Sequence, residues 1–241
     1  MINIVNVTKT FGKDKKAVDN ISLTIEAGRI FGFLGPNGAG KTTTIKMLTG
    51  ILPVDSGKID INGFDIERNP LEAKRQFGYV PDSPDIFLRL KGIEYLNLIA
   101  GIYNVKGREK ADRIKELAEK LEIIDALGSK IQTYSHGMRQ KLVLIGSLLY
   151  RPDVWILDEP MTGLDPKSSF LLKEMMREHT NKGGTVFFST HVLEVAEKLC
   201  DVIAVINNGK ILFSGELSEL RQKFMNDDSL EQIFLEMTEN G

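Results

Sequence analysis

The sequence has little cysteine and no long hydrophobic run. Its single cysteine, Cys200, excludes an internal disulfide and is typical of a protein in a reducing compartment. The longest strongly apolar stretch, 142–150, is far shorter than the roughly 20 residues that a membrane-spanning helix needs. The N-terminal residues show no basic region followed by an apolar one, as a secretory signal would. These absences predict a soluble, cytoplasmic protein.

An excess of charge of one sign is also lacking. The 31 basic and 33 acidic residues give a formal net charge of -2, so we expect no nucleic-acid partner, because such partners select basic surfaces. With 241 residues, 42% of them hydrophobic, the chain is long enough to bury the core of one α/β domain that carries an inserted subdomain.

The chemistry begins with a glycine-rich segment, Gly35-Pro36-Asn37-Gly38-Ala39-Gly40-Lys41-Thr42. It fits the pattern Gly, four residues, Gly, Lys, Ser/Thr, and it lies between an apolar predicted strand, 29–34, and a predicted helix, 43–48. In such a loop, backbone N–H groups and the positive end of the helix bind phosphate oxygens. We expect Lys41 to contact the β- and γ-phosphates, Thr42 to bind Mg²⁺ and Thr43 to reach the α-phosphate. The segment therefore predicts a nucleoside triphosphate site.

The second functional segment is acidic. An apolar predicted strand, 154–157, leads directly into Asp158 and Glu159. A carboxylate at a strand end beside a phosphate loop holds Mg²⁺ through water, and this role falls to Asp158. Glu159 is then the candidate that orients or deprotonates the attacking water. Adjacent acids also occur at solvated strand ends, but the phosphate loop favours the catalytic interpretation.

The remaining chain alternates between strand and helix patterns. Segments 2–7 and 21–25 predict an antiparallel strand pair, and the region 84–147 is helical in pattern. Further predicted strands are 56–63, 77–81, 185–189 and 202–206, and further predicted helices are 168–180 and 193–199. Helices interleaved with buried strands predict a mostly parallel sheet covered on both faces.

These pieces, in this order, resemble the ATP-binding subunit of an ATP-binding-cassette (ABC) transporter, from about Ile2 to Gly215. The segment 134–141, Tyr-Ser-His-Gly-Met-Arg-Gln-Lys, is similar to the family signature, usually Leu-Ser-Gly-Gly-Gln. It keeps Ser135 and Gly137 but has His136 for a glycine and Met138 for glutamine, a pattern that resembles bacterial exporter subunits of the drug- and antibiotic-resistance type. The resemblance implies a RecA-like phosphate-loop NTPase core with an antiparallel β subdomain, an α-helical insertion at about 84–147 and a short tail, 216–241.

The resemblance also implies how a second chain takes part. Ser135, Gly137 and the start of the following helix would bind the γ-phosphate of ATP held by a second ABC ATPase chain, so that two chains enclose two ATP molecules head to tail. Ser135 is equally a candidate helix N-cap. Asp165 would lie in the subunit-contact loop, and His191 would hydrogen-bond the γ-phosphate; a buried histidine without a catalytic role is the alternative for His191.

Two positions are ambiguous or depart from the family. Phe11 occupies the place of an aromatic that stacks on adenine, but a phenylalanine at a strand end is as often a core residue. Asp82 stands where the family has a glutamine that senses Mg²⁺ and links to the membrane subunit. Because a charged aspartate accepts hydrogen bonds but donates none, we expect Asp82 to lie near the metal through water, with coupling changed more than binding.

The resemblance predicts an ATPase, with ATP and Mg²⁺ as cofactors, that powers a separate transmembrane exporter from the cytoplasmic face of the membrane. Phe87 and the segment 88–103 are candidates for docking on a permease subunit, although helix packing explains them equally well. The tail after Gly215 is short and has an amphipathic helix at 229–237. Some importer subunits carry an added regulatory domain at this place, so the short tail favours export modestly. The alternatives are a cassette ATPase acting on ribosomes or DNA, which usually has two cassettes or a long coiled coil, and a kinase or GTPase, which would lack the signature.

Overall fold

The computed structural model describes residues 1–12, 15–84, 87–224 and 230–239. Its strands are β1 (Ile2–Phe11), β2 (Lys15–Ile25), β3 (Ile30–Leu34), β4 (Ser56–Ile61), β5 (Phe64–Asp65), β6 (Phe77–Val80), β7 (Val154–Leu157), β8 (Thr185–Thr190), β9 (Val202–Asn207) and β10 (Lys210–Gly215). Its α-helices are α1 (Lys41–Leu48), α2 (Pro70–Gln76), α3 (Gly92–Ile102), α4 (Gly107–Lys120), α5 (His136–Leu148), α6 (Pro166–Asn181), α7 (Leu193–Leu199), α8 (Leu217–Phe224) and α9 (Leu230–Glu239).

Two sheets organise these strands. The larger has the order β10-β9-β3-β8-β7-β6, counted over the described residues, and all its neighbours are parallel except β10, which runs antiparallel to β9. The smaller sheet has the order β2-β1-β4-β5 and is antiparallel. The α/β fold with a mostly parallel core sheet and an antiparallel β unit is thus confirmed.

The parallel sheet is buried on both faces because its side chains alternate between two cores. Phe31, Ile156 and Phe187 pack with the antiparallel sheet and α1, whereas Trp155 and Phe188 pack with the helices α3, α4 and α5. Strands of a sheet covered on both faces are apolar at nearly every position, which is what β3 and β7 show. The carboxyl ends of β3 and β7 are therefore held rigidly, and both lead directly into the functional segments.

Most predicted elements agree with the structure to within a few residues. The strands predicted at 2–7 and 21–25 do pair antiparallel, and the region 84–147 contains α3, α4 and most of α5. The predicted tail helix corresponds to α9, although its expected first residue, Ser229, lies outside the described residues, as do Asp85 and Ile86. The division of the chain at 84–147 and 215 stays a prediction.

Candidate functional site

The glycine-rich segment connects the end of β3 to the first residue of α1. Gly40 precedes the helix with φ at +114°, and a Cβ at this position would lie 2.5 Å from the carbonyl oxygen of Ala17. Only glycine accepts both conditions, so the tight turn into α1 depends on this residue. The first N–H groups of a helix have no partner within the helix, and here Lys41, Thr42 and Thr43 carry them along the wall of a cleft.

The cleft has a volume of about 650 Å³, within the range of small-molecule sites. Its lining residues are Phe11, Lys15, Lys16, Ala17, Asn37, Gly38, Gly40, Lys41, Thr42, Thr43, Asp82, Glu159, Asn208 and Gly209. Asn208, Gly209 and the residues Lys15 to Ala17 were not predicted to lie at the site. The Asn208-Gly209 pair carries a turn signal, but only the fold places that turn against the phosphate loop, where the Gly209 N–H donates to the Ala39 carbonyl at 2.9 Å.

Lys41 is buried and bonded within the loop. Its Nζ donates to the carbonyl oxygens of Gly35 at 2.7 Å and Pro36 at 3.2 Å, and it lies 3.4 Å from Oε1 of Glu159. The ammonium group thus sits between the loop and the candidate catalytic carboxylate. Phosphate oxygens that bind Lys41 compete with these acceptors.

Asp158 is fully buried at the end of β7. The Ser189 hydroxyl donates to its Oδ1 at 2.6 Å, whereas its Oδ2 has no hydrogen-bond partner among the described residues. Burial raises the pKa of Asp158, and the carboxylates of Asp82 and Glu159 raise this pKa further, although the hydroxyls of Ser189 and Thr42 act in the opposite direction. A buried carboxylate with one free oxygen beside a threonine hydroxyl is a chemically suitable place for a hard cation.

The acidic groups do not form a metal site by themselves. Across the described ranges, no three His, Cys, Asp or Glu side chains are grouped closely enough to hold a metal ion. Mg²⁺ commonly uses only one or two carboxylates and completes its shell with phosphate oxygens and water. The residues present therefore fit Mg²⁺ that arrives with a nucleotide better than they fit a permanently bound metal.

Glu159 has a strained backbone, with φ at +45°, which costs a residue with a side chain about 1–2 kcal/mol. Its N–H donates to the Ser189 hydroxyl at 2.9 Å, and its Oε2 lies 3.0 Å from Nδ1 of His191. The same serine thus fixes both adjacent acids. His191 is exposed, so the alternative of a buried histidine is wrong, and its contact with Glu159 places it at the candidate catalytic carboxylate.

The structure also places the two ambiguous residues. Phe11 is 46% exposed and lines the cleft, so the core interpretation is wrong and an adenine platform stays the prediction. Asp82 is exposed, lines the same cleft and contributes to the raised pKa of Asp158. It therefore lies close to the candidate metal-binding groups.

The residues expected to act on a second chain lie elsewhere. Ser135 is exposed and caps α5, accepting a hydrogen bond from the Met138 N–H at 3.2 Å, and Asp165 caps α6, accepting from the Ser168 N–H at 2.9 Å. Hydrogen bonds from Ser168 also lower the pKa of Asp165. The described residues that line the cleft do not include Ser135, Gly137 or Asp165.

A phosphate-binding loop between a parallel strand and a helix, facing a carboxylate pair at the end of another strand of the same sheet, defines a phosphate-loop nucleoside triphosphatase. The comparison with protein families makes this specific. The family model described as ABC transporter matches residues 18–162, and the chain belongs to that family.

Individual relatives agree with this membership. The chain is 33% identical to the ABC transporter ATP-binding protein NatA of Bacillus subtilis, over all of this chain and 99% of NatA. It is 34% identical to the linearmycin resistance ATP-binding protein LnrL of the same organism, over 94% of this chain and 73% of LnrL. A solved structure of an ATP-binding subunit of an ABC transporter superposes with a TM-score of 0.93 at 31% identity, covering 98% of each chain. The protein is an ATP-binding ABC cassette and an ATPase.

None of the helices within the described ranges combines the length and apolarity needed to cross a bilayer.

Proposed function

We propose that this chain is the ATP-hydrolysing subunit of a transporter whose export pathway lies in a separate transmembrane permease, and that it works at the cytoplasmic face of the membrane. The observation that carries the proposal is the separation of the site into two parts. Lys41, Asp82 and Glu159 share one cleft, whereas Ser135 and Asp165 are outside it on the same chain. A second chain that presents its own Ser135 would complete each ATP site.

Hydrolysis follows from the groups in the cleft. Lys41 and the loop N–H groups hold the β- and γ-phosphates, while Phe11 supports the adenine and Thr43 the α-phosphate. Glu159 takes a proton from the water that attacks the γ-phosphorus, and its bond to His191 fixes the carboxylate for that step. His191 would also donate a hydrogen bond to the γ-phosphate.

Thr42 and Asp158 would hold Mg²⁺, with Asp82 bound through water. The metal, when bound, neutralises charge that develops on the phosphate oxygens. The free Oδ2 of Asp158 and its raised pKa support this assignment, because a cation compensates both. In this role Asp82 would accept hydrogen bonds from water on the metal, as the amide oxygen of the usual glutamine would.

The second chain supplies the γ-phosphate with another helix end. Ser135 and Gly137 lie at the start of α5, a helix of 13 residues whose N-terminal dipole favours an anion. Ser135 is exposed, so its hydroxyl is available to a ligand as well as to its own helix. The dimeric arrangement closes two ATP sites at once, and hydrolysis lets the chains separate.

The permease would bind to the helical insertion. Phe87 is 61% exposed and Ile102 is 65% exposed, and Leu88 and Leu98 are also exposed. The Phe87 ring lies at the edge of the helical packing, with its centroid 6.4 Å from that of Tyr95. Exposed large apolar side chains in one region typically mark a protein-binding surface, which supports docking over a core role for Phe87.

Export is the proposed direction because of the relatives. LnrL is a linearmycin resistance protein, and removal of a toxic compound from the cell would explain resistance. The altered signature at His136 and Met138, which resembles that of exporter subunits, supports the same direction.

The test is affinity capture from detergent-solubilised cells with a tagged Glu159→Gln variant and ATP, because blocked hydrolysis retains the closed state. The expected dominant partner is a multispanning membrane protein. A second capture adds Phe87→Asp and Ile102→Asp, which should lose that partner while ATP binding is retained. Phe170→Asp is the matched control, since Phe170 is an equally exposed residue on α6. Recovery of ribosomal or chromosomal proteins instead would overturn the transport role in favour of a cassette acting on those assemblies.

A further inference from the structure

The first residue of α5 is packed against the loop that follows the catalytic carboxylate. Gly163 in this loop has φ at +76°, and a Cβ on it would lie 2.3 Å from Cδ2 and 2.9 Å from Nε2 of His136. The three atoms nearest to that Cβ all belong to the imidazole ring. The ring of His136 therefore occupies the space beside Gly163, and a glycine at position 136 would leave that space empty.

Other contacts join the same two elements. The Gly137 Cα approaches Gly163 so closely that a Cβ on Gly137 would be 3.0 Å from the Gly163 carbonyl oxygen. Further along α5, Gln140 Nε2 lies 3.5 Å from the Pro160 carbonyl oxygen and Lys141 Nζ lies 3.9 Å from Asp165 Oδ2. These polar contacts are long, whereas the His136 ring fills the space directly beside Gly163.

The loop begins at Glu159 itself. The Thr162 N–H donates to the Glu159 carbonyl at 3.1 Å, and the Leu164 N–H donates to the Met161 carbonyl at 3.3 Å, so residues 159–164 form two consecutive tight turns. These turns therefore connect Gly163 to Glu159. In the other direction, His136 adjoins Ser135, the residue assigned to the partner's ATP.

We propose that His136 is a positioning residue that links the two half-sites of one chain: its ring holds the loop 160–165 so that Glu159 is placed for hydrolysis when Ser135 binds the second chain's ATP. This inference rests on the proposed dimer. His136 acts through packing, so it does not itself touch the phosphate that Glu159 serves. Misplacement of a catalytic group by about 1 Å lowers the rate up to about a hundredfold. A small shift of Glu159 after loss of the His136 contact is therefore enough to lower kcat measurably.

The test is a double-mutant cycle between His136→Ala and Gly163→Ala, with steady-state ATPase and nucleotide affinity both measured. His136→Ala should lower kcat about tenfold and leave the affinity of the isolated chain for ADP within about twofold. His136→Phe, which keeps a ring, should restore most of kcat. Gly163→Ala should lower kcat at least about fivefold more in the original protein than in the His136→Ala background. Only in the original protein does the added methyl group collide with the His136 ring.

Backbone strain is controlled separately. Gly28 has φ at +75°, and a Cβ added to it would meet no atom within 4 Å, so Gly28→Ala reports the strain of a left-handed alanine alone. We expect its kcat to be unchanged. Equal effects of Gly163→Ala in both backgrounds, or a His136→Phe rate as low as that of His136→Ala, would overturn the inference.

A readout independent of the dimer separates this inference from the proposed function. A fluorophore attached to Thr162→Cys should lose anisotropy in the His136→Ala background, because the loop gains freedom in each isolated chain. Cys200 should not interfere, since burial raises the pKa of its thiol. Unchanged anisotropy rejects the His136 contact even if the protein is a transporter subunit. Failure to capture a membrane partner, with anisotropy lost as expected, rejects the transport role and leaves the contact standing.

Discussion

The two halves of the proposed ATP site differ in how completely one chain builds them. In the half at the phosphate loop, Lys41 and Asp158 are buried and fixed by hydrogen bonds, and Glu159 has contacts to both Lys41 and His191. In the half at α5, Ser135 and His136 are exposed, and the serine hydroxyl caps its own helix. One half is organised in advance, whereas the other presents a helix end to solvent.

This difference separates nucleotide binding from hydrolysis. Preorganised donors and charges bind a nucleotide in a single chain, because their geometry is already set. The exposed half contributes only when another molecule brings phosphate to it. Substitutions in the first half should therefore change nucleotide binding or hydrolysis through groups of the same chain. Loss of the Ser135 hydroxyl should lower hydrolysis in the dimer and leave nucleotide binding by the isolated chain unchanged.

The largest expected effect comes from Glu159→Gln. Loss of the proton acceptor should lower kcat by about 10²- to 10⁴-fold, while ATP still binds because Lys41 and the loop remain. ATPase assays together with equilibrium binding to the isolated chain measure both quantities. The control is Glu194→Gln, an exposed acid on α7 that pairs with Lys198, which should change neither. A Glu159→Gln rate within tenfold of the original would show that another group accepts the proton.

Ser135→Ala should have the next largest effect and should reveal the exposed half. We expect kcat to fall about tenfold in the dimer, with nucleotide affinity of the isolated chain unchanged. Loss of the cap alone costs about 1 kcal/mol of stability, so Ser135→Asn, which keeps a capping oxygen, is the matched control for folding. It should retain stability and still lose activity. Weaker nucleotide binding by the isolated Ser135→Ala chain would show that Ser135 contributes to the site in its own chain, which would contradict the division into two halves.

Asp158→Asn should make the nucleotide-free protein more stable although it removes hydrolysis. A raised folded pKa means that the charged form of Asp158 is disfavoured by folding. This cost is absent below the ordinary pKa of about 4, grows as the pH rises above that value, and levels off above the folded pKa. Removal of the charge should therefore add about 1 kcal/mol near neutral pH, or about 2–4 °C in Tm.

The measurement for Asp158 is thermal unfolding in EDTA across a pH series. The gain from Asp158→Asn should shrink as the pH is lowered toward about 4, where the original side chain is itself protonated. Asp153→Asn, which removes an exposed carboxylate at the other end of β7, is the matched control. A destabilised Asp158→Asn protein at neutral pH would mean that the bond from Ser189 outweighs the cost of the buried charge.

The sequence predicted the buried half of the site well because local chemistry determines it. The loop 35–42 and the acid pair at 158–159 are each contained in one strand end and its continuation, so their patterns identify the elements that carry them, and the roles of these residues stay predictions. The alternation of apolar runs likewise predicted the parallel sheet. What binds the two segments together, such as the shared Ser189 contact to Asp158 and Glu159, depends on strand order and is not visible in the sequence.

The parts that sequence patterns missed are those that depend on contacts between distant segments. The Asn208-Gly209 turn lines the cleft only because β9 lies beside β3. The contact of His136 with Gly163 arises because α5 meets the loop after β7, although the two residues look unrelated in the sequence. For Phe11 and His191, the pattern left core and site interpretations open. Their exposure excludes a core role, and the site roles stay predictions.

Phe11→Ala should have the smallest effect and tests how far the preorganised half extends toward the base. Stacking of a base on an aromatic ring contributes about 1–3 kcal/mol, and the low end applies here because the ring is 46% exposed. We expect ATP affinity of the isolated chain to fall about fivefold, with Phe11→Tyr close to the original and Phe170→Ala unchanged. Since the ring cannot discriminate strongly among bases, GTP affinity should fall by a similar factor. If Phe11→Ala lowers the affinity for inorganic triphosphate as much as the affinity for ATP, then Phe11 supports the phosphate loop and does not stack on the base.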